Sequence, residues 1–288
     1  MSVNLPKEKN ALLRQIVGDL KSIPYVKAIV LGGSFATGFA TEASDLDVGI
    51  YYHEIEPFSI GDVQSVAQKY AYDSVPTVTK FYEWGPWVNG GEWIQTAHGK
   101  VDFLYKNIDQ IISTIENAKN GIWENHFEQQ PPYGFSSIIF LAETQSCIPL
   151  HDPSDIIENL KQEVLHYPPK LKQAVIQQSL WAAEFTIWHA EQFAEKRDMY
   201  NTVGCLTRAV KNIIMVLFAI NELYPIGDKR AIEILEKANI TPTFLKQKIE
   251  TILCADRNTL NKNIDLLKSL WLETVELTGG AYKPFYNL

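Results

Sequence analysis

The sequence has little of what marks disulfide-rich and membrane-spanning proteins. It has only three cysteines in 288 residues (Cys147, Cys205 and Cys254), too few and too scattered for a disulfide framework or a Cys-x-x-Cys metal site. Each lies in an apolar, helix-like context, so we expect three buried free thiols. The longest uninterrupted apolar run, residues 213–220, is far shorter than the ~20 residues of a membrane-spanning helix. The first ten residues contain no apolar signal core. We therefore expect a cytoplasmic protein with no membrane partner.

Dense clusters of basic residues are also missing. The chain has 26 Lys and Arg against 34 Asp and Glu, a net charge of −8. Because proteins bind long nucleic acids largely by neutralising phosphates, this balance argues against a long nucleic acid as the ligand. It suits a cationic small molecule better. Oligomeric state has no sequence signature here, and we expect a monomer or a dimer.

The first 130 residues alternate between helical and strand-like patterns. Strands are predicted at residues 27–31, 45–52, 92–96 and 100–105, and helices at 8–20, 59–70 and 107–118. The two last strands flank Ala97-His98-Gly99, which predicts a hairpin in which Gly99 supplies a positive φ.

The proline pair Pro131-Pro132 is the best candidate for a domain boundary, because prolines break helices. Beyond it strand signals nearly vanish. Helices are predicted at residues 154–165, 169–196, 201–223, 229–238, 242–253 and 258–278. We therefore predict an α+β domain over residues 1–130, with a small mixed sheet and flanking helices, followed by an all-α helical bundle over residues 131–288.

Two acidic residues begin the second predicted strand. Asp45 and Asp47 are two positions apart, so both project from the same face. Two carboxylates about 6 Å apart repel by roughly 3 kcal/mol at an effective dielectric constant of about 20. A divalent cation is the natural counter-charge, and carboxylate pairs suit Mg²⁺ together with phosphates. Two solvated acids at a strand edge are the alternative.

A glycine turn and a third acid complete this pattern. Gly33 and Ser34 follow the first predicted strand, where glycine lets the backbone approach a ligand closely. The Gly-Lys-Ser/Thr ending of a Walker A loop is absent. Asp102 lies in a later strand, and it joins the other two acids if its strand pairs beside residues 45–52. Three convergent carboxylates are able to hold two metal ions for phosphoryl or nucleotidyl transfer.

The order Gly-Gly-Ser, ten further residues, Asp-x-Asp and a later strand Asp resembles the nucleotidyltransferase superfamily of the DNA polymerase β type. The resemblance covers residues 27–105. It implies that Gly33 and Ser34 hold the phosphates of ATP or another nucleoside triphosphate. It also implies that Asp45, Asp47 and Asp102 bind two Mg²⁺ ions, with Asp102 as a ligand or as the general base. Thr37 stands where many relatives have an arginine, so that contact is missing here.

The second half is similar to antibiotic-type nucleotidyltransferases, in the stretches at residues 150–169, 207–214 and 224–230. In those relatives a helical C-terminal domain closes over the nucleotide and lends it basic residues. Arg208 and Lys229 stand at the matching places. The alternatives are a helix-surface arginine and a solvated loop lysine.

Three further residues are weaker candidates for substrate contact. Trp87 and Trp93 belong to a glycine-rich aromatic loop that forms either a wall for a substrate or a cover for the sheet edge. Glu143 is an acid within an apolar helical run, either a base for the acceptor or a paired structural acid.

Together with these patterns, the resemblance implies an enzyme that transfers a nucleoside monophosphate, AMP from ATP by analogy with the family, to a hydroxyl of a small molecule and releases pyrophosphate. The resemblance implies an aminoglycoside- or lincosamide-like acceptor. Two alternatives stay open: transfer to a protein hydroxyl, as in toxin–antitoxin systems, and an inactive nucleotide-binding module. The intact acids and glycine turn disfavour the latter.

Overall fold

The computed structural model describes residues 5–72, 75–286 and 288. The chain forms two compact units. The first extends to Glu116 and includes Glu124–Leu165, and the second combines Asn117–Trp123 with the chain from His166 onward.

The first unit is built on a mixed sheet with flanking helices. Its strands, together with those of a small two-stranded sheet, are β1 Ala28–Leu31, β2 Leu46–Tyr52, β3 Gly91–Thr96, β4 Gly99–Asn107, β5 Asn125–His126, β6 Phe135–Ser136 and β7 Ile148–His151. Its helices are α1 Lys7–Leu20, α2 Gly33–Thr37, α3 Ile60–Tyr70, α4 Ile108–Lys119, whose last residues belong to the second unit, α5 Ile138–Ser146 and α6 Ile156–Glu163.

The main sheet has the strand order β3-β4-β2-β1-β7, in which only the β2–β4 pair is parallel. One face packs on α1 and α3. The alternate residues Val48 and Ile50 of β2 and Phe103 of β4 form the core there, with Ile16 of α1 and Val63 of α3. The same alternation directs Asp47 and Asp102 to the opposite face. Because side chains alternate along a strand, burial of Val48, Ile50 and Phe103 in the core places Asp47 and Asp102 on the opposite face of the sheet.

The β3–β4 turn and the start of α4 are each stabilised by a residue suited to that position. Gly99 adopts a φ of +109° in the β3–β4 hairpin, where Thr96 pairs with Gly99, and this confirms the predicted hairpin. Asn107 caps α4, because its Oδ1 accepts from the backbone N–H groups of Asp109 at 2.9 Å and Gln110 at 3.3 Å.

The second unit is helical. Its elements are α7 Pro169–Glu195, α8 Met199–Ile220, α9 Ala231–Glu236, α10 Leu245–Leu253 and α11 Leu260–Leu277. The central helix α8 packs against the other four. By length and composition α8 is apolar enough to cross a membrane, but 56% of its apolar window is buried inside the structure, and core helices of soluble proteins meet the same criterion.

The fold class is confirmed: a five-stranded mixed sheet with flanking helices precedes a helical region. The two units divide after Leu165, whereas the proline pair placed the division after residue 130. Strand β7 explains the difference, because it pairs with β1 and brings the chain beyond residue 131 back to the sheet.

The expectation of three buried thiols holds only for Cys147. All three cysteines are free, but Cys205 is half-buried and Cys254 is exposed. Cys254 directly follows α10, where the chain leaves the apolar helix face. The burial expected for it was therefore wrong.

Candidate active site

The glycine turn lies directly against one of the aspartates. Strand β1 ends at Leu31, and Gly32 donates its backbone N–H to the carbonyl of Asp47 at 2.8 Å. Gly33 has a φ of +56°, and a Cβ atom on it would lie 1.8 Å from Asp47 Oδ2. The positive φ and the missing side chain are both needed for this close approach. The turn and the Asp47 carboxylate therefore form one structural feature.

The strand of Asp102 does pair with the strand of Asp47, as the site hypothesis required. Asp47 and Asp102 are direct partners in the parallel β2–β4 ladder, where neighbouring strands lie about 4.8 Å apart. Asp45 comes immediately before β2. We call the sheet surface that carries Asp47, Asp102, Lys100 and Lys106 the aspartate face.

Lys100 bridges two of the three acids. Its Nζ lies 3.1 Å from Asp45 Oδ2 and 3.0 Å from the Asp102 carboxylate. Lys100 thus provides a positive charge where the sequence alone suggested only negative ones. Alternation along β4 places Lys100, Asp102 and Lys106 on one face, because they are an even number of positions apart, but it does not show that Lys100 contacts Asp45.

The ionised form of Asp47 is disfavoured by burial and by the neighbouring carboxylates. Burial is the largest cause that raises the pKa of Asp47 to about 6, and the charges of Asp102 and Asp45 add to it. The positive charge of Lys100 opposes this rise. A proton or a further cation near Asp47 would relieve the repulsion.

The donors on this face suit a hard divalent cation, because Mg²⁺ prefers carboxylate oxygens. Within the described part of the chain, no three His, Cys, Asp or Glu side chains are already arranged as metal ligands. Lys100 occupies the position between Asp45 and Asp102 instead. The acids therefore fit a metal by their chemistry, and an ammonium group already neutralises part of their charge.

Glu143 of α5 forms an ion pair with Lys106 of the aspartate face. Lys106 Nζ is 2.6 Å from Glu143 Oε2 and 5.6 Å from the centroid of the Phe140 ring. The charge of Glu143 also contributes to the raised pKa of Asp47. Glu143 thus belongs to the electrostatic environment of the aspartates, and its partner Lys106 was missed by the sequence patterns.

The two candidate tryptophans have different surroundings. Trp93 is the β3 partner of Asp102, is 58% exposed and stacks on Trp84 with the ring centroids 5.0 Å apart. Its ring lies 5.7 Å from Lys100 Nζ. Trp87 instead packs against Phe135 and Phe140, with ring centroids 5.5 Å away in each case. Trp93 borders the aspartates, whereas Trp87 anchors its own loop.

Arg208 and Lys229 belong to the second unit. Arg208 lies on an exposed part of α8, and Lys229 is exposed in the connection before α9. Their contact with a nucleotide stays a prediction.

Comparison with known proteins gives two family matches. Residues 13–84 match the family described as "Nucleotidyltransferase domain", and residues 139–229 match "Domain of unknown function (DUF4037)". Among solved structures, a nucleotidyltransferase-like protein from Exiguobacterium sibiricum 255-15 aligns with 95% of this chain and 78% of its own, at 10% identity and a TM-score of 0.47. No curated protein sequence matches the chain.

The first match covers the glycine turn, Asp45 and Asp47. Residues 13–84 are therefore similar to a nucleotidyltransferase domain, and this match supports nucleotide transfer as the activity of the first unit.

Proposed function

We propose that this nucleotidyltransferase moves a nucleoside monophosphate, AMP from ATP, to a hydroxyl group of a cationic small molecule in the presence of Mg²⁺. The observation that carries the proposal is the pairing of Asp47 with Asp102 beneath a glycine turn that touches Asp47. This arrangement places a turn suited to phosphates next to carboxylates suited to a metal.

Each residue has a role in this proposal. Asp45, Asp47 and Asp102 hold the divalent ions, and Gly33 and Ser34 hold the phosphates. When bound, the metal lowers the pKa of an attacking hydroxyl and stabilises negative charge on the phosphates. Trp93 offers an exposed ring beside the acids for the acceptor or the base.

At the α-phosphorus the reaction forms one bond and breaks one, and the acceptor hydroxyl loses its proton. The acceptor oxygen bonds to the α-phosphorus, and the bond from that phosphorus to the pyrophosphate oxygen breaks. The hydroxyl proton passes to a carboxylate, for which Asp102 and Glu143 are the candidates on this face. Glu143 is held in place by Lys106, which suits a base that must keep one orientation.

The choice of a cationic acceptor rests on charge. The ion pairs and charges described on and around the aspartate face involve four acids, Asp45, Asp47, Asp102 and Glu143, and two lysines, Lys100 and Lys106. The whole chain has a net charge of −8. Such a surface attracts a cation and repels a polyanion.

A product screen tests the proposal. The full chain is incubated with each α-³²P-labelled nucleoside triphosphate, MgCl₂ and pooled amino-sugar and other hydroxyl-bearing cationic compounds, and products are identified by mass spectrometry. We expect a monophosphate adduct and pyrophosphate with the parent and neither with Asp47→Asn. Label on protein instead would establish the protein-acceptor alternative. Thermal stabilisation by MgATP without any adduct would indicate an inactive nucleotide-binding module.

A further inference from the structure

Lys100 has three contacts that bear on the site. Its ammonium lies 3.1 Å from Asp45 and 3.0 Å from Asp102, and the ring centroid of Trp93 is 5.7 Å away. Its side chain is 30% exposed, so the ammonium is partly shielded from water. Lys100 comes one position before the Leu46–Val101 pair of the parallel ladder, just as Asp45 does on the other strand. The contact is therefore built into the strand register.

We propose that Lys100 is a built-in competitor of the divalent cation, which holds Asp45 and Asp102 in the metal-free enzyme and must leave them before a metal binds. The proposal rests on the proposed function, because it takes these acids as metal ligands. It makes Lys100 a positioning residue.

Competition follows from charge and geometry. The ammonium donates to the same carboxylates that a divalent ion would need, and two cations in contact with one carboxylate pair repel each other. Lysine suits exchange, because its single charge lies on a flexible four-carbon stem. The ring of Trp93 already lies 5.7 Å from the ammonium and gives it a cation–π contact that does not depend on the two carboxylates.

The lysine also has an effect on the metal-free site. Without it, Asp45 and Asp102 would lie near Asp47 and lose the ammonium that both carboxylates contact. By bridging Asp45 and Asp102, Lys100 keeps two ligands oriented and reduces their repulsion. The cost is a lower apparent affinity for the metal.

The test measures Mn²⁺ binding to the nucleotide-free full chain by calorimetry. Lys100→Met should bind Mn²⁺ at least about tenfold more tightly than the parent, because a neighbouring positive charge is removed. Lys100→Arg keeps the charge and should stay close to the parent. Lys69→Met, which removes a lysine that pairs with Asp19 on the other side of the sheet, should leave the affinity unchanged. Asp47→Asn should abolish binding in both the parent and the Lys100→Met backgrounds.

A second measurement uses the parent chain alone, in case Lys100→Met folds poorly. Acylation of lysine amines is followed by mass spectrometry with and without Mn²⁺. Lys100 should be labelled several-fold faster with Mn²⁺, while Lys69 serves as the internal reference.

Equal Mn²⁺ affinity of the parent and Lys100→Met, with binding still lost in Asp47→Asn, would overturn the competitor role and leave the metal site intact. Unchanged labelling of Lys100 when Mn²⁺ is bound would do the same. Binding that ignores Asp47→Asn, or no binding to the parent and Lys100→Met alike, would overturn both this proposal and the metal dependence of the proposed function.

Discussion

At position 33 the chain has room for a hydrogen atom and nothing larger. A Cβ atom there would lie 1.8 Å from Asp47 Oδ2, and the backbone has a φ of +56°. Gly38, at the other end of the same short helix, also has a positive φ of +78° but has no atom within 4 Å of a Cβ position. An alanine at either position would strain the backbone, but only an alanine at position 33 would also displace Asp47. Comparing the two substitutions therefore separates these two effects.

We expect Gly33→Ala to lower turnover about 100-fold, equivalent to about 2.7 kcal/mol, because the new methyl group pushes Asp47 away. Gly38→Ala should cost only the left-handed backbone strain, about 1–2 kcal/mol of unfolding free energy, and keep its turnover. Steady-state kinetics and urea unfolding of both variants check this. Equal turnover of the two variants would show that contact between the turn and Asp47 has no catalytic consequence.

Asp47 makes metal-free stability depend on pH. Its pKa is raised from 3.8 to about 6, so the folded state binds its proton more tightly than the unfolded state. Ionised Asp47 therefore destabilises the fold at pH above about 6, and this cost fades as the pH falls toward 3.8. The shift of about two units corresponds to at most about 3 kcal/mol.

In EDTA, Asp47→Asn should thus be more stable than the parent at pH 8, by about 1–3 kcal/mol, and the gain should shrink by pH 5. Asp19 supplies a control of opposite sign. Hydrogen bonds from Lys69 and Tyr70 lower its pKa, so its contribution is present at neutral pH and is lost on acidification. Asp19→Asn should therefore be less stable than the parent at pH 8. Urea unfolding at the two pH values measures both, and a pH-independent effect of Asp47→Asn would contradict the argument.

At the scale of single elements, alternation and helical spacing located almost every strand and helix of the first 130 residues. Alternation left open whether the strand of Asp102 pairs with the Asp45–Asp47 strand, and the β2–β4 ladder meets that condition by placing Asp102 opposite Asp47. It did not single out Lys100 or Lys106, because a lysine on a strand has the same pattern as any solvent-facing residue. What distinguishes them is the acid with which each one pairs, Asp45 before the neighbouring strand for Lys100 and Glu143 of α5 for Lys106, and both partners are set by tertiary structure.

Strand β7 escaped prediction for a related reason. It has four residues, includes Pro149 and forms the edge of the sheet, where a proline is tolerated. Its strand conformation comes from pairing with β1, far away in sequence, with an irregular register. Local patterns do not contain that information, and so the unit boundary was placed 35 residues too early in the chain, after residue 130 instead of Leu165.

One buried acid joins helix α7 to the end of the chain. Glu184 is fully buried and accepts hydrogen bonds from the Tyr282 hydroxyl and from the backbone N–H groups of Phe285 and Tyr286. Its loss would leave buried donors without an acceptor, which costs about 1–3 kcal/mol per group.

We expect Glu184→Ala to lower the free energy of unfolding by about 3 kcal/mol and to expose residues 282–286 to protease. Glu191, on the same helix, pairs with Lys268 and is 37% exposed, so Glu191→Ala should cost less than about 1 kcal/mol. Urea unfolding and limited proteolysis compare the two. Equal stability of the two variants would mean that Glu184 does not hold this segment.

At the scale of the whole molecule, the charge balance of the proposed reaction favours cations beyond the two lysines that pair with acids on and around the aspartate face. Asp45, Asp47, Asp102 and Glu143 outnumber Lys100 and Lys106 on and around the aspartate face. A triphosphate adds about four negative charges, which two divalent ions would nominally offset. The surroundings of the nucleotide then remain net negative, and the turn at Gly33 contributes no basic side chain. Additional lysines or arginines are therefore favoured.

Arg208 and Lys229 of the helical unit are the candidates that the sequence resemblance provides. We expect Arg208→Ala and Lys229→Ala each to weaken binding of ATP, measured with Mg²⁺ by calorimetry, about 10- to 150-fold, the value of a charged hydrogen bond of roughly 1.5–3 kcal/mol. Lys246→Ala removes an exposed lysine of the same unit that pairs with Glu250, and it should leave the affinity unchanged. The loss in the two variants should also grow as salt is lowered, since partly exposed charges are screened by salt. If both variants bind ATP as Lys246→Ala does, neither Arg208 nor Lys229 lends charge to the nucleotide, and the role that the sequence resemblance implies for them is wrong.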